Sequence, residues 1–555
     1  MFAVRALISC VFTIGGWRQT GVVFIVVSPG RLRRFSDDAE PLGETQSLAD
    51  HPGARLVWDD TRRWYPQLLA AGVRVERCID LRLSHAILRQ STLAAGSELA
   101  RAAPGPWDSA AVIDEPRDRG TALFDLEAPE PRLDADPVHE WMLQRDAVAR
   151  STDPGRLALL LAAESAGALI ACEMKVAGLP VDAAIHEKLL SELLGSRPKG
   201  AERPAKLEAL KAVLVERLGF DFNPDSAVEL LRALRRAGLN VKSTSKWEIR
   251  EIDHPVIAPL LEYKRLSRLM TANGWNWLDT WVADGRFRPE YVPGGVVTGR
   301  WAASGGGALQ LPKQVRGAVV ADPGWKFVVA DAAQLEPRVL AALSRDQKMA
   351  KAGEGDMYEG IVASGAVATR AQAKVAMLGA MYGATTGESG RLLPGLTRAF
   401  PGALAFVERA ARAGERGESV TTHLGRSSPL PGQDWQAEAA IDAAAESRAR
   451  SQARSWGRFT RNFVVQGTAA EWALCWMAGL RGALFELADG ALTERPHLVF
   501  FLHDEVIVHT PEHLAEQVEA AVRAAAAAAG RLIFGDLPVA FPVTTAIVNS
   551  YADAK

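Results

Sequence analysis

Carboxylates set between apolar strands, and cations repeated along one helical face, are the residues of this 555-residue chain with the most chemistry to offer. In FLHDEVIVHT, Phe501 to Thr510, two apolar, β-branched runs flank Asp504 and Glu505, which predicts a hairpin with carboxylates at or near its turn. A metal ion suits such acids, since hard cations take oxygen ligands. An exposed turn made soluble by two acids fits the stretch alone just as well. A second carboxylate, Asp331, ends WKFVVAD, which reads as a buried strand. In ATRAQAKVAMLGAMYG, Arg370, Lys374, Leu378 and Tyr382 recur every four residues and so share one face of a helix. Two cations, an apolar residue and an aromatic on one stripe suit a triphosphate at one end and a base at the other; the plainer alternative is an amphipathic helix with solvated cations. If the strands of Asp331 and Asp504 share a sheet, their carboxylates could bind two divalent ions about 4 Å apart. Acids, metals and cations are the parts phosphoryl transfer needs, because it is mostly positioning and electrostatics.

The elements around these residues follow from composition and periodicity. Hydrophobic content of 48% and charged content of 23% are those of a soluble globular protein, and the length calls for two to four structural units. A net charge of -2 gives no global basic field, so any nucleic-acid surface must be local. Cys10, Cys78, Cys172 and Cys475 are scattered without metal-site spacing and read as core thiols in a reducing cytoplasm. The apolar start, Met1 to Val27, is interrupted by Arg18 and Gln19 and reads as strands of a soluble domain or as a start codon placed too early; no membrane span is expected. GVVFIVV and ARLVW predict strands, and YPQLLAAGV a helix. Prolines and acids accumulate from Ala103 to Pro137, a linker or long surface loop. LALLLAAESAGALIACEM predicts a buried helix. Further helices follow in FNPDSAVELLRALRRAG, with Asp225 or Ser226 at its start and Gly238 at its end, and in HPVIAPLLEYKRLSRLM, with Lys264, Arg265 and Arg268. YVPGGVVTGRWAASGGGALQLPKQ is rich in small residues that let backbone approach a bulky ligand. QLEPRVLAALS predicts a helix with Pro337 in its first turn. EAAIDAAAESRARSQARSWGRFTRN predicts a helix with Arg450, Arg454, Arg458 and Arg461 as a second basic stripe, and NFVVQGTAAEWALCWMAGL a further helix.

The motifs TGRWAAS, DAAQLEPR, RAQAKVAMLGAMYG, RFTRNFVVQGTAAE and HDE, in that order, resemble those of the family A DNA polymerases, the relatives of bacterial DNA polymerase I. The resemblance covers roughly residues 155 to 555, and LLEYKRLSRL resembles a segment of the family's thumb. It implies an α/β (α+β multidomain) fold, a right hand of palm, fingers and thumb, preceded by a small α/β exonuclease-like (RNase H-like) domain. The expected layout is 1–135 for that domain and its linker, then 136–555 for the polymerase. Within the latter, the thumb spans about 155–290, the palm about 291–345 and 463–555, and the fingers about 346–462. Two Mg2+ ions, with Mn2+ as a substitute, are implied at Asp331, Asp504 and the carbonyl of Ala332, with Glu505 in support. Arg370 and Lys374 are implied to grip an incoming dNTP, with Lys374 as a proton donor, beside Leu378, Tyr382, Gln334 and Glu336; Glu336 would block a ribose 2′-hydroxyl. Arg300, Arg458, Asn462, Gln466 and His503 are implied to contact primer-template DNA, through a minor groove whose acceptors are nearly sequence-independent.

The chain departs from the family pattern in several places. Leu378 stands where the family carries an aromatic residue, Ala332-Ala333 where it carries Tyr-Ser, Pro337 where an aliphatic residue stands, and Tyr358 where a histidine often meets the phosphates; SGGGALQLP is short. WYPQLLAAGVRVERCIDLRLSHAIL resembles a piece of the proofreading 3′–5′ exonuclease domain, yet the nuclease's acids are missing. The first strands carry none, Tyr65 sits about where a catalytic aspartate belongs, and the DxE Asp125-Leu126-Glu127 lies in the proline-rich linker. A degenerate domain kept for structure is expected, and with it a monomeric DNA polymerase of the bacterial cytoplasm or nucleoid, acting in repair or replication. The alternative is a non-catalytic DNA-binding scaffold derived from a polymerase.

Overall fold

The computed structural model describes residues 23–554 apart from 49, 52, 109–134, 201, 251, 306, 308–310, 385–386, 433–442 and 538. Cys10, most of the apolar start, Asp125-Leu126-Glu127 with most of the proline-rich stretch, and parts of SGGGALQLP and of the segment before Ala443 lie outside the described residues. The chain forms two compact units: Met1–Ala177 with Tyr291–Ser304 and Val328–Ile547, and Gly178–Glu290 with Gly305–Phe327 and Val548–Lys555.

The first unit begins with a five-stranded mixed sheet, β1 (Phe24–Ser28), β2 (Arg31–Phe35), β3 (Pro41–Thr45), β4 (Arg55–Trp58) and β5 (Cys78–Asp80), in the order β3-β2-β1-β4-β5. Successive side chains of a strand face opposite ways. Ile25 and Val27 therefore pack with Leu56, Trp58 and Tyr65, while Phe24 and Val26 pack on the other face with Val57 and Trp141. Tyr65 comes from α1 (Thr61–Ala70), which Asp60 caps by accepting from Arg62 N. Trp141 comes from α3 (Pro137–Ala149), beyond α2 (Leu81–Gln90). This is the small α/β domain expected at the N-terminal end.

Next in this unit is α4 (Pro154–Ala177), apolar on most sides and buried from Leu157 to Ala177 on all but a few positions. Among the described residues it is the helix long and apolar enough to cross a membrane, but 78% of its apolar window is buried inside protein. Leu169 and Cys172 join the core of the β-sheet, and Gly167 lets Leu474 come so close that a Cβ there would stand 2.8 Å from it. The thiols of Cys78, Cys172 and Cys475 are all buried, which pushes that of Cys172 up to about 12.

A second sheet completes the unit: β6 (Trp325–Ala332), β7 (His497–Leu502), β8 (Glu505–Pro511) and β9 (Val543–Val548), ordered β7-β8-β6-β9. Helices α10 (Leu335–Ser344), α11 (Met357–Ala363), α12 (Arg370–Tyr382), α13 (Pro401–Glu415), α14 (Ala443–Phe485) and α15 (Ala515–Phe534) belong with it. Where two helices were expected, α14 runs unbroken for 43 residues. No proline interrupts it, and the glycines at 457 and 467 pack closely rather than breaking the rod.

The second unit is mainly helical: α5 (Ala183–Leu194), α6 (Ala205–Leu218), α7 (Ala227–Arg236), α8 (Ile257–Asn273) and α9 (Trp275–Trp281). Ser226 caps α7 by accepting from Glu229 N, as one of the two expected caps. On α8, the Tyr263 hydroxyl donates to Asp225 at 3.0 Å and accepts from Arg203 at 2.8 Å. Also on this helix, Arg265 donates to Glu262 at 2.7 Å and Lys264 to the Thr244 carbonyl.

Candidate functional site

The hairpin predicted at Phe501 to Thr510 forms with a two-residue turn. Leu502 pairs with Glu505, which leaves His503 and Asp504 at the tip. The turn is tight: Asp504 N donates to Leu502 O at 2.7 Å, and His503 has a φ of 58°. Left-handed backbone is uncommon outside glycine and costs free energy that the surroundings must supply. Gln334, three residues after Asp331, is also left-handed, with a φ of 52°. Two such residues thus flank the two aspartates. Tyr291 braces the hairpin from behind, its hydroxyl donating to Phe501 O at 2.9 Å and accepting from Phe501 N at 3.1 Å.

Because β6 lies beside β8, the strand ends that carry Asp331 and Asp504 are neighbours in one sheet. A backbone bond joins them directly, from Ala332 N to Asp504 O at 2.8 Å. Both aspartates are partly exposed, whereas Glu505 is buried at the start of β8.

Three side chains gather next to this pair. Arg300 donates to Glu336 Oε1, and the Tyr382 hydroxyl donates to Glu336 Oε2 at 3.2 Å. Burial, then the Glu336 charge, raises the pKa of the Tyr382 phenol. The His503 imidazole is lowered, first by desolvation and then by the charge of Arg300, which favours its neutral form. Glu336 is thus the meeting point of α10, the end of α12 and the glycine-rich TGRW segment.

On α12 the predicted stripe is present. Arg370, Lys374, Leu378 and Tyr382 are all exposed, while Ala373, Ala376, Met377 and Ala380 on the opposite side are buried. Thr369 caps the helix by accepting from Gln372 N, and Gly383 ends it with a φ of 72°. A Cβ at Gly383 would stand 2.8 Å from the stem of Arg458, so the glycine lets α14 cross the end of α12. Arg458, Asn462 and Gln466 are spaced by four along α14 and hold one face, exposed at the first and half-buried at the other two. Nδ2 of Asn462 is buried, and the Asn462 side chain acts on the Tyr382 phenol. Arg461, expected in the basic stripe, is turned inward instead. It is 9% exposed, donates to Ala380 O at 2.9 Å and pairs with Glu408. Three residues on from Arg458, it falls toward the inner side of the rod, which the expectation of a single stripe overlooked.

Two residues that the motifs did not single out tie the site together. Arg338, 1% exposed, donates to the carbonyls of Ala333, Gly353, Gly355 and Ala540 and to Gln334. Asp356 accepts from Gln334 Nε2 and from Arg370 Nη2, both at 2.8 Å. Arg338 ends DAAQLEPR, and nothing in that motif marks its side chain as buried. The signal for Asp356 was its place one residue before a helix, where a carboxylate caps.

The family model for "DNA polymerase family A" matches residues 198–553. A DNA polymerase I of Chloroflexus aurantiacus is 28% identical over 353 residues, 57% of this chain and 34% of that protein. A thermostable DNA polymerase I of Thermus aquaticus is 25% identical over 433 residues, 70% of this chain and 47% of that protein. The chain therefore spans between a third and a half of the length of these relatives. Among solved structures, the POL domain of Pol1 from M. smegmatis, in complex with DNA primer-template and dNTP, aligns with a TM-score of 0.67 at 18% identity, covering 98% of each chain. That alignment shows the shared fold.

Proposed function

Because the chain belongs to DNA polymerase family A, we propose that it extends a primer on a DNA template, joining dNTPs to the 3′-hydroxyl and releasing pyrophosphate. The observation that carries this reading is the pairing of Asp331 and Asp504 at neighbouring strand ends, tied through Ala332 N and Asp504 O at 2.8 Å. Two partly exposed carboxylates and the Ala332 carbonyl are hard oxygen donors and suit Mg2+, or Mn2+ in its place. Among the described residues no group of three or more His, Cys, Asp or Glu side chains is gathered for a metal. Mg2+ fits such a sparse set, since it is bound through one or two carboxylates with water and substrate phosphates. Bound there, a pair of ions supplies a more acidic attacking hydroxyl and neutralises charge on the leaving oxygens.

The chain's own residues then have these roles. Asp331 and Asp504 hold the cations, and Glu505 supports the hairpin from within. Arg370 and Lys374 neutralise the triphosphate, and Lys374 gives a proton to the departing pyrophosphate. Glu336, fixed by Arg300 and Tyr382, fills the space a 2′-hydroxyl would need. Leu378 covers the base without stacking on it as an aromatic would. Gln334 supports the site through Asp356 and Met357 N. Arg300, Arg458, Asn462, Gln466 and His503 face primer and template. The domain layout given above belongs to the same proposal. So do action as a monomer in the bacterial cytoplasm or nucleoid, a role in repair or replication, and loss of proofreading in the N-terminal domain.

A primed template with labelled dNTPs tests this. Wild-type protein should extend the primer, and Asp331→Ala should slow extension by about 10²- to 10³-fold or more while leaving DNA binding in place. Binding without extension by the wild type would favour the scaffold. Shortening of the primer 3′ end would overturn the loss of proofreading.

A further inference from the structure

Arg370 is already occupied. Its guanidinium donates to Asp356 Oδ2 through Nη2 at 2.8 Å and Nε at 3.3 Å, and stands 3.8 Å from Glu359. Beneath it lies the ring of Tyr358, 5.4 Å from the guanidinium carbon to the ring centroid. The pair is accessible, with the Arg370 side chain 49% exposed and that of Asp356 34%.

Asp356, by contrast, is fixed. Its Oδ1 accepts from Tyr358 N at 2.9 Å and Glu359 N at 3.0 Å, capping α11. Its Oδ2 accepts from Gln334 Nε2 at 2.8 Å. Gln334 in turn accepts from Met357 N and from Arg338, whose Nε holds the Ala333 carbonyl at 2.8 Å. Burial works to raise the Asp356 carboxyl, but the bonds from Arg370 and Glu359 N keep it below the usual range. A line of hydrogen bonds thus runs from the strand end that bears Asp331 to the first residue of α12. Only its last link, to Arg370, joins two solvent-facing charges.

We propose that Asp356 is a positioning residue for Arg370, a carboxylate that a nucleotide's triphosphate must displace before the guanidinium can hold it. This rests on the polymerase reading above. The two anions compete for one cation. The carboxylate is the weaker competitor because it carries a single charge, screened by water on its exposed side. Tyr358 strengthens the case: its buried ring offers the phosphates no charge of its own at this position, so Arg370 must leave Asp356 to meet them alongside Lys374. Nucleotide binding would then cut the hydrogen-bonded line between α12 and the Asp331 strand, freeing the helix at the moment it is needed.

Asp356→Asn is the informative change. Its side-chain oxygen can still cap α11, while its amide turns a donor toward Arg370 and removes the negative charge. Single-nucleotide extension should show KM for dNTP lowered about two- to fivefold, the range for an exposed ion pair, and the difference should shrink as salt is raised. In an Arg370→Ala background the same change should leave KM where Arg370→Ala alone puts it. A raised KM in Asp356→Asn, or an equal shift with and without Arg370, would overturn the proposal, and matched unfolding midpoints would show that neither result comes from misfolding. Wild-type extension with an unmoved KM in Asp356→Asn defeats the displacement alone; a wild type that does not extend defeats the polymerase reading and this proposal with it.

Discussion

Glu471 shows how far a single side chain can be pushed from its ordinary behaviour. It lies inside the first unit, accepting from Thr422 Oγ1 and, at 3.0 Å, from Leu424 N, and burial raises its carboxyl to about 7. Its folded pKa lies above its unfolded one, so the folded state holds the proton more tightly between about 4.5 and 7. Its contribution to stability is therefore present in acid and is lost as pH rises through that window. Glu471→Gln, neutral and able to keep both bonds, should flatten this slope. Its unfolding midpoint should match that of the wild type near pH 5 and exceed it by several degrees at pH 8, as measured by calorimetry. At this scale the sequence was informative where motif and chemistry coincide. Asp331 and Asp504 lie at neighbouring strand ends in one sheet, Arg370, Lys374 and Tyr382 share an exposed face of α12, and Tyr382 reaches Glu336. Partners distant in sequence were not legible. Nothing near Arg370 announced Asp356 as its counter-ion, and nothing in an arginine repeat told Arg461 from Arg458.

Elements were read well where periodicity is strong. The hairpin strands, the Asp331 strand and α12 formed as their patterns predicted, because alternation and a four-residue repeat each leave a single face to bury. Continuity was harder, since an Arg-rich first half and an apolar second half of α14 look like two helices when judged by composition. The structure joins them because the first half packs on α13. Two glycines make that packing possible: a Cβ at Gly414 would fall 2.1 Å from Thr460 Oγ1, and one at Gly457 would fall 2.9 Å from Ala411 O. Gly414→Ala should therefore cost about 1–3 kcal/mol, the usual penalty for forcing extra volume into a packed contact. Urea titration followed by circular dichroism checks it. A midpoint equal to that of the wild type would mean that the two helices part without loss.

Within the first unit, the N-terminal sheet is bound to the rest by a buried charge cluster. The Tyr65 hydroxyl donates to Glu173 Oε1 at 2.5 Å, and Arg481 donates to both oxygens of Glu173 at 2.6 and 2.9 Å and to the carbonyls of Val75 and Glu76. Tyr65 thus serves as an anchor between the sheet's first helix and α4. Arg481→Met would strand the buried Glu173, leaving it the Tyr65 hydroxyl and Arg74 at 3.7 Å. A loss of about 3–5 kcal/mol is expected, as for other broken buried pairs. Limited proteolysis should then cut first in Thr61–Ala70 while the site around Asp504 stays protected. The partner of Arg481 lies 308 residues away in the chain, a distance at which sequence pattern carries no information. The rod that ends near Arg481 also constrains how a gene for this protein can change. Between Asn462 and Arg481, α14 has no loop to absorb a change of length, and each added residue would turn everything beyond it by about 100° and advance it about 1.5 Å. A single inserted codon there would set the stripe of Arg458, Asn462 and Gln466 and the buried anchor out of phase, so that only one could keep its place. Descendants of this gene can replace residues along the rod one at a time, but they inherit its length.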